Sequence, residues 1–277
     1  MRLGHPRKDR FKLGAIPFST GRAGNLATAL SGLFFRLRKG ILRGIRMPYL
    51  SRVCLRQDAS VSALAPLLLG QAHNESKTRH PAHHLIWSLF ADHADRSRDF
   101  LWREMRTGVF LVLSDRHPVD RHGLFDIDKP KLFNPNLESG DRLKFSLRAN
   151  PVVRRRHEKR RRSTKHDVVM DALRSLPASK RPLRRLEVMR SAGIEWLVQM
   201  GNKAGFNLSE SDVWVDGYTQ HSVARKGTAP TMKYSTLDFE GTLTVQEPPV
   251  LVSRIAQGFG SAKAYGCGLL LIRRSAR

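Results

Sequence analysis

Leu143-Lys-Phe-Ser-Leu-Arg-Ala149 alternates apolar and polar side chains with a period of two, the pattern of a strand that buries one face. It follows the punctuation of Pro135 and Gly140 and restarts a pattern already present at Tyr49-Leu-Ser-Arg-Val-Cys-Leu-Arg56, so the chain opens the same kind of unit twice. C-terminal to this strand, residues 193–204 read as an amphipathic helix with Ile194, Leu197 and Val198 on one side. Residues 213–223 and 234–245 read as paired strands. Pro248-Pro249 opens a helix over 250–257 that Gly258 ends, and residues 268–272 form a last strand. That order is βαββαβ, the ferredoxin-like arrangement. The first half fits the same template: a strand over 49–56, a helix over 83–92, strands over 100–106 and 109–114, a poor second helix, and a strand around 126–133. The expected fold is α+β, two tandem ferredoxin-like (RRM-like) domains over 47–138 and 139–277, preceded by a basic arm over 1–46.

The 277 residues suffice for two ordinary cores, and no apolar run reaches the length of a membrane span. Lys and Arg number 49 against 24 Asp and Glu, a formal charge of +25, which makes a polyanion the default partner. Cys54 and Cys267 share no metal-ligand spacing and fit a reducing cytoplasm. The arm over 1–46 holds eleven Lys or Arg and one acid, and reads either as disordered or as a region upstream of a true start at Met47.

A second block of charge, RRRHEKRRRSTK over 154–165, is too polar for a core element. It reads either as a solvated loop or as a phosphate-gripping insertion, and its single sign and ordered-looking flanks favour the second. Between the last helix and last strand lies Gly258-Phe-Gly-Ser-Ala-Lys-Ala-Tyr-Gly-Cys-Gly-Leu-Leu270. Gly258, Gly260, Gly266 and Gly268 would let backbone N–H groups approach a phosphate with Lys263 beside them, or they form a helix cap and a tight turn with no ligand. No Walker ending is present.

This glycine-rich run resembles the signature of the repeat-associated RNA-binding superfamily of CRISPR systems. Together with MPYLSRVCL at the first domain start, FSLRANPV over 145–152 and LDFEGTLTV over 237–245, it resembles the CasE family, the CRISPR-RNA-processing endoribonuclease of the type I-E Cascade complex. The resemblance spans residues 47 to about 272. It implies two ferredoxin-like domains and a precursor CRISPR RNA cut once per repeat at the 3′ base of the stem-loop. It also implies an enzyme that stays on the hairpin and enters Cascade as a subunit.

His73, His80, His83 and His84 share one twelve-residue window, but no Cys, Asp or Glu at ligand spacing completes a metal site, and neither metal nor cofactor is expected. CasE-like proteins place a catalytic histidine at the start of the first helix, in a Tyr-x-x-His setting before an L-W-x-L-F segment. Aligning Trp87, Leu89 and Phe90 puts His83 there, with His80 in place of the family tyrosine and His84 as the competitor if the register slips by one. An imidazole suits the reaction on general grounds: RNA carries its own nucleophile in the 2′-OH, and a group titrating near neutrality can take or give the proton. The sequence leaves open whether His83 acts as base or acid. The expected product end is a 2′,3′-cyclic phosphate. The expected RNA contacts are Arg154, Arg155, Arg156, Arg160, Arg161, Arg162 and Lys165 on the insertion, with Lys263 and its glycines touching RNA or bracing the cleft. Arg148 faces either RNA or an acidic neighbour, and Trp87 and Phe90 are expected in the core. The alternatives are a non-catalytic hairpin-binding subunit and a general nucleic-acid coat protein.

Overall fold

A computed structural model of the chain describes residues 47–69, 81–93, 95–156, 163–223 and 231–274. The arm over 1–46, His73 and His80, and Arg160, Arg161 and Arg162 lie outside the described residues. Arg46–Arg277 is one compact unit.

The first half holds β1 (Tyr49–Leu55), α1 (Ala59–Leu69), α2 (Pro81–Ser88), β2 (Phe100–Arg106), β3 (Val109–Ser114), β4 (Phe125–Ile127) and β5 (Lys131–Leu132). Its antiparallel sheet runs β2-β3-β1-β4, with β5 also on β1, which is the ferredoxin-like order. The second half holds β6 (Arg142–Ala149), β7 (Val152–Arg155), β8 (Thr164–Asp167), α3 (Val168–Arg174), α4 (Arg181–Asn202), β9 (Phe206–Asn207), β10 (Val213–Val223), β11 (Met232–Val245), α5 (Pro248–Gln257) and β12 (Leu270–Arg274). Its sheet repeats the order as β10-β11-β6-β12, while β7 and β8 form a separate hairpin.

Several elements depart from the sequence reading, each for a local reason. The strand expected around 126–133 divides into β4 and β5, with Pro130 between them unable to donate to a ladder. No helix separates β3 from β4 among the described residues, so the second helix of the first template is missing. Its place is taken by chain that Asp120 ties down, accepting from the backbone N–H groups of His122 and Phe125 at 3.0 and 2.8 Å. Helix α2 stops at Ser88, where Leu89 and Phe90 turn back onto the carbonyls of Ile86 and Trp87. Helix α4 begins twelve residues earlier than expected, at Arg181, because its first turns are charged and leave Leu183 and Leu186 exposed, outside the packed face that starts near Met189. Helices α1 and α3 have no counterpart in the sequence reading. Helix α3 is short but has a side-chain cap, Asp167 accepting from the Met170 N–H at 2.7 Å.

Two cores meet at one sheet. On β2 and β3, Phe100, Trp102, Phe110 and Val112 pack with Leu85, Ile86 and Phe90 under α1 and α2. The alternate residues Leu101, Leu111 and Leu113 join the core of the second half, with Leu147, Leu237, Phe239 and Phe259. Period two thus buries both faces, and this is why β3 reads as the unbroken apolar run VFLVLS. Phe90 is in this core and Trp87 packs against it, as the sequence predicts.

Candidate active site at the seam of the two halves

The glycine-rich loop of the second half closes onto the first sheet. Four of its glycines have positive φ, from 70° at Gly260 to 91° at Gly268. A Cβ at Gly258 would come within 2.8 Å of Leu101 on β2, and one at Gly260 within 2.6 Å of the Asn150 carbonyl oxygen. One at Gly266 would reach the Trp102 ring at 3.1 Å, and one at Gly268 the Phe259 carbonyl oxygen at 2.5 Å. The N–H groups of Gly258, Phe259, Ser261, Tyr265 and Gly268 all donate to backbone carbonyls. The glycines therefore serve close packing, and these N–H groups are turned inward to the protein rather than outward to a phosphate. Lys263 donates to the Gln257 carbonyl at 2.6 Å, which braces the end of α5.

This packing delivers the Ala264 carbonyl to the start of α2. There the Nδ1 of His83 lies 2.8 Å from the Ala264 oxygen, and Trp102 Nε1 donates to the same oxygen at 3.1 Å. A carbonyl only accepts, so Nδ1 carries a proton and the neutral ring presents a bare Nε2 lone pair. Burial lowers the His83 pKa from its ordinary value, the Ala264 carbonyl pulls it part of the way back up, and the charges of His84 and Arg98 lower it further. The neutral imidazole is the form present near pH 7. His84, the competitor in register, is exposed and sits beside His83 with ring centroids 5.2 Å apart.

One arginine, Arg98, acts on this imidazole. Arg98 acts electrostatically on both His83 and Lys263, and Lys165 acts on Lys263. Lys263 is held below its usual pKa by burial first, then by Arg254, Arg98 and Lys165. The structure thus makes Lys263 the chain neighbour of the Ala264 carbonyl that His83 holds, gives Lys165 an electrostatic effect on Lys263, and adds Arg98, which the sequence reading missed. Only an arginine between two elements marked it there. Tyr265 was missed too. Its ring lies 5.4 Å from His83 and stacks at 5.2 Å on Tyr234, which stacks at 4.7 Å on His221.

The remaining expected contacts divide. Arg154, Arg155 and Lys165 lie on the β7–β8 hairpin, and Arg156 follows β7 exposed. Arg155 is committed in part to Asp171, at 2.6 and 3.0 Å. Arg148 faces the acidic neighbour of the two options: it grips Asp238 with two hydrogen bonds of 2.8 and 2.7 Å, and that pairing raises its pKa. Among the described residues, no group of three His, Cys, Asp or Glu side chains is arranged to hold a metal ion, and no helix is long and apolar enough to cross a membrane.

Fold and seam together define a class: tandem ferredoxin-like proteins whose two halves meet at one histidine, with a basic hairpin in the second half. The chain belongs to the CRISPR associated protein family, whose model matches residues 48–274. It is 28% identical over 204 residues to the CRISPR system Cascade subunit CasE of Escherichia coli, covering 70% of this chain and 92% of that protein. It is 29% identical over 181 residues to the CRISPR-associated endoribonuclease Cse3 of Thermus thermophilus, covering 61% and 75%. Among solved structures, Thermus thermophilus Cse3 bound to an RNA representing a pre-cleavage complex shares the fold. Its TM-score is 0.56 at 23% identity, over 82% of this chain and 99% of that one.

Proposed function

We propose that this protein is a metal-independent endoribonuclease that cuts precursor CRISPR RNA within each repeat, at the 3′ base of the stem-loop, and remains on the mature guide as a Cascade subunit. The relatives named Cascade subunit CasE and endoribonuclease Cse3 support the assembly and the endoribonuclease activity. The observation that carries the chemistry is the His83 Nδ1 bond to the Ala264 carbonyl, which leaves Nε2 as the working nitrogen.

In this reading His83 is the general base. Nε2 takes the proton of the ribose 2′-OH, the 2′-oxygen forms a bond to the adjacent phosphorus, and the bond from phosphorus to the 5′-oxygen of the next nucleotide breaks. The 5′ fragment then ends in a 2′,3′-cyclic phosphate, and the departing 5′-oxygen takes up a proton as a hydroxyl. Arg98 and Lys263 offset the charge that develops on the phosphate, in a half-buried site where such interactions are stronger than in water. The nucleophile belongs to the substrate, so alignment and proton transfer are what the protein supplies. Arg154 and Lys165 of the β7–β8 hairpin, together with Arg156, Arg160, Arg161 and Arg162 of the sequence between its strands, grip the stem phosphates.

The test is product analysis on a cognate repeat RNA in EDTA. The expected result is one cut, a 2′,3′-cyclic phosphate on the 5′ fragment, and no cut when the nucleotide before the scissile phosphate is 2′-deoxy. Cleavage of the deoxy substrate, or a requirement for divalent metal, contradicts the reading.

A further inference from the structure

We propose that Trp102 is a positioning residue for His83: by donating to the carbonyl that His83 also holds, its indole fixes the imidazole in the tautomer with a bare Nε2. This rests on the reading of His83 as the base. Three elements meet at the Ala264 oxygen: the loop that carries it, α2 through His83 Nδ1 at 2.8 Å, and the first sheet through Trp102 Nε1 at 3.1 Å. A carbonyl oxygen has two lone pairs, and these two donors match them.

The carbonyl is displayed by a tight turn over Lys263–Tyr265 that lies between two left-handed residues, Ala262 at φ 52° and Gly266 at φ 76°. Ala262 is the one non-glycine with positive φ among the described residues. An alanine holds that conformation only where its surroundings over-determine it. Trp102 supplies two such constraints. Its ring lies where Gly266 approaches most closely, and its N–H fixes the direction of the carbonyl. The indole is itself 1% exposed and has the Phe110 ring packed edge-on against it, so the anchor belongs to the rigid sheet rather than to the loop. Without the indole N–H the carbonyl is free to turn away, and His83 then samples both neutral tautomers, one of which blocks Nε2 with a proton.

The test replaces Trp102 in the full-length protein in two ways: Trp102→Phe, and site-specific 3-benzothienylalanine, which keeps the ring shape and lacks the N–H. Two-bond 1H–15N spectra of 15N-histidine protein report the His83 tautomer without reference to activity. Wild type is expected to show a protonated Nδ1 and an unprotonated Nε2, and both variants to move the two nitrogens toward an averaged signal. Single-turnover cleavage is expected to fall about 3- to 10-fold, the worth of one net hydrogen bond, with hairpin affinity unchanged. The acid limb of the rate profile is expected to move to lower pH, because the carbonyl that raises the His83 pKa has let go. A benzothienyl variant with the wild-type 15N pattern, or with a rate loss equal at every pH, overturns the proposal. The base reading fails separately, if His83→Ala still cleaves, and the 15N spectra judge the Trp102 clamp in either case.

Discussion

Replacing Gly260 by alanine tests the seating of the glycine-rich loop, and Gly140 supplies its control. Both glycines have left-handed backbone, φ 70° at Gly260 and φ 91° at Gly140. A Cβ at Gly140 meets nothing within 4 Å, whereas one at Gly260 comes within 2.6 Å of the Asn150 carbonyl oxygen, a backbone atom. Gly140→Ala therefore carries the left-handed penalty alone, roughly 1–2 kcal/mol. Gly260→Ala carries that penalty and an overlap that backbone must move to relieve, typically about 1–3 kcal/mol more. For a unit of this size each kcal/mol lowers Tm by roughly 2–4 °C, so Gly260→Ala is expected to melt about 4–20 °C below wild type and Gly140→Ala about 2–8 °C below it. Differential scanning calorimetry of the two variants beside wild type reads the difference directly. Equal melting points for the two variants would refute the reasoning, since the loop would then tolerate a methyl group where the structure has backbone.

Other expectations follow from the same geometry. His84→Ala is expected to keep the wild-type single-turnover cleavage rate within about 3-fold, since His84 is exposed and it is His83, of the two histidines, that bonds the Ala264 carbonyl; a loss as deep as that of His83→Ala moves the chemistry one residue along. Because burial puts the His83 pKa below its ordinary 6.5, the cleavage rate is expected to be flat near pH 7 and to fall only below 6.5, and a rate profile with its midpoint above 6.5 contradicts that. The same shift has a sign for stability: between the folded and unfolded pKa the unfolded chain binds more protons, so this group adds stability as pH rises to about 6.5 and nothing more above it. Lys165→Ala and Arg154→Ala are each expected to reduce the slope of log affinity against log salt by about 0.7–0.9 for a repeat hairpin, measured by filter binding, whereas an unchanged slope removes that residue from the phosphate contacts.

The repeated unit was legible because its strands alternate or are continuously apolar. Strands β2, β3 and β10 have the bounds that the pattern predicts, since cross-strand burial writes a period of two into the residues. What the pattern could not supply was everything decided by distant partners. Helix α1 follows β1 over a stretch to which the sequence reading assigns no element, and the start of α4 is charged, with Leu183 and Leu186 exposed rather than packed. Within the site, the composition of the loop over 258–270 was visible but its purpose was not. A phosphate cradle and a packing turn ask for the same glycines, and only Leu101, Asn150 and Trp102 on the far side decide between them. Arg148 illustrates the same limit, as its partner Asp238 lies on a neighbouring strand, 90 residues away in sequence. His83 was singled out through the resemblance of its helix. The carbonyl that fixes its tautomer is 181 residues distant and carries no side-chain signature at all.

The central claim, that His83 drives RNA cleavage through Nε2, is tested most directly by single-turnover cleavage of a cognate repeat RNA in EDTA by wild type and His83→Ala, with hairpin affinity measured in parallel. The expected result is one cut by wild type and a rate at least about 100-fold lower in the variant, with binding retained. Full-rate cleavage by a folded His83→Ala protein, or tight hairpin binding with no cut by either protein, contradicts the account.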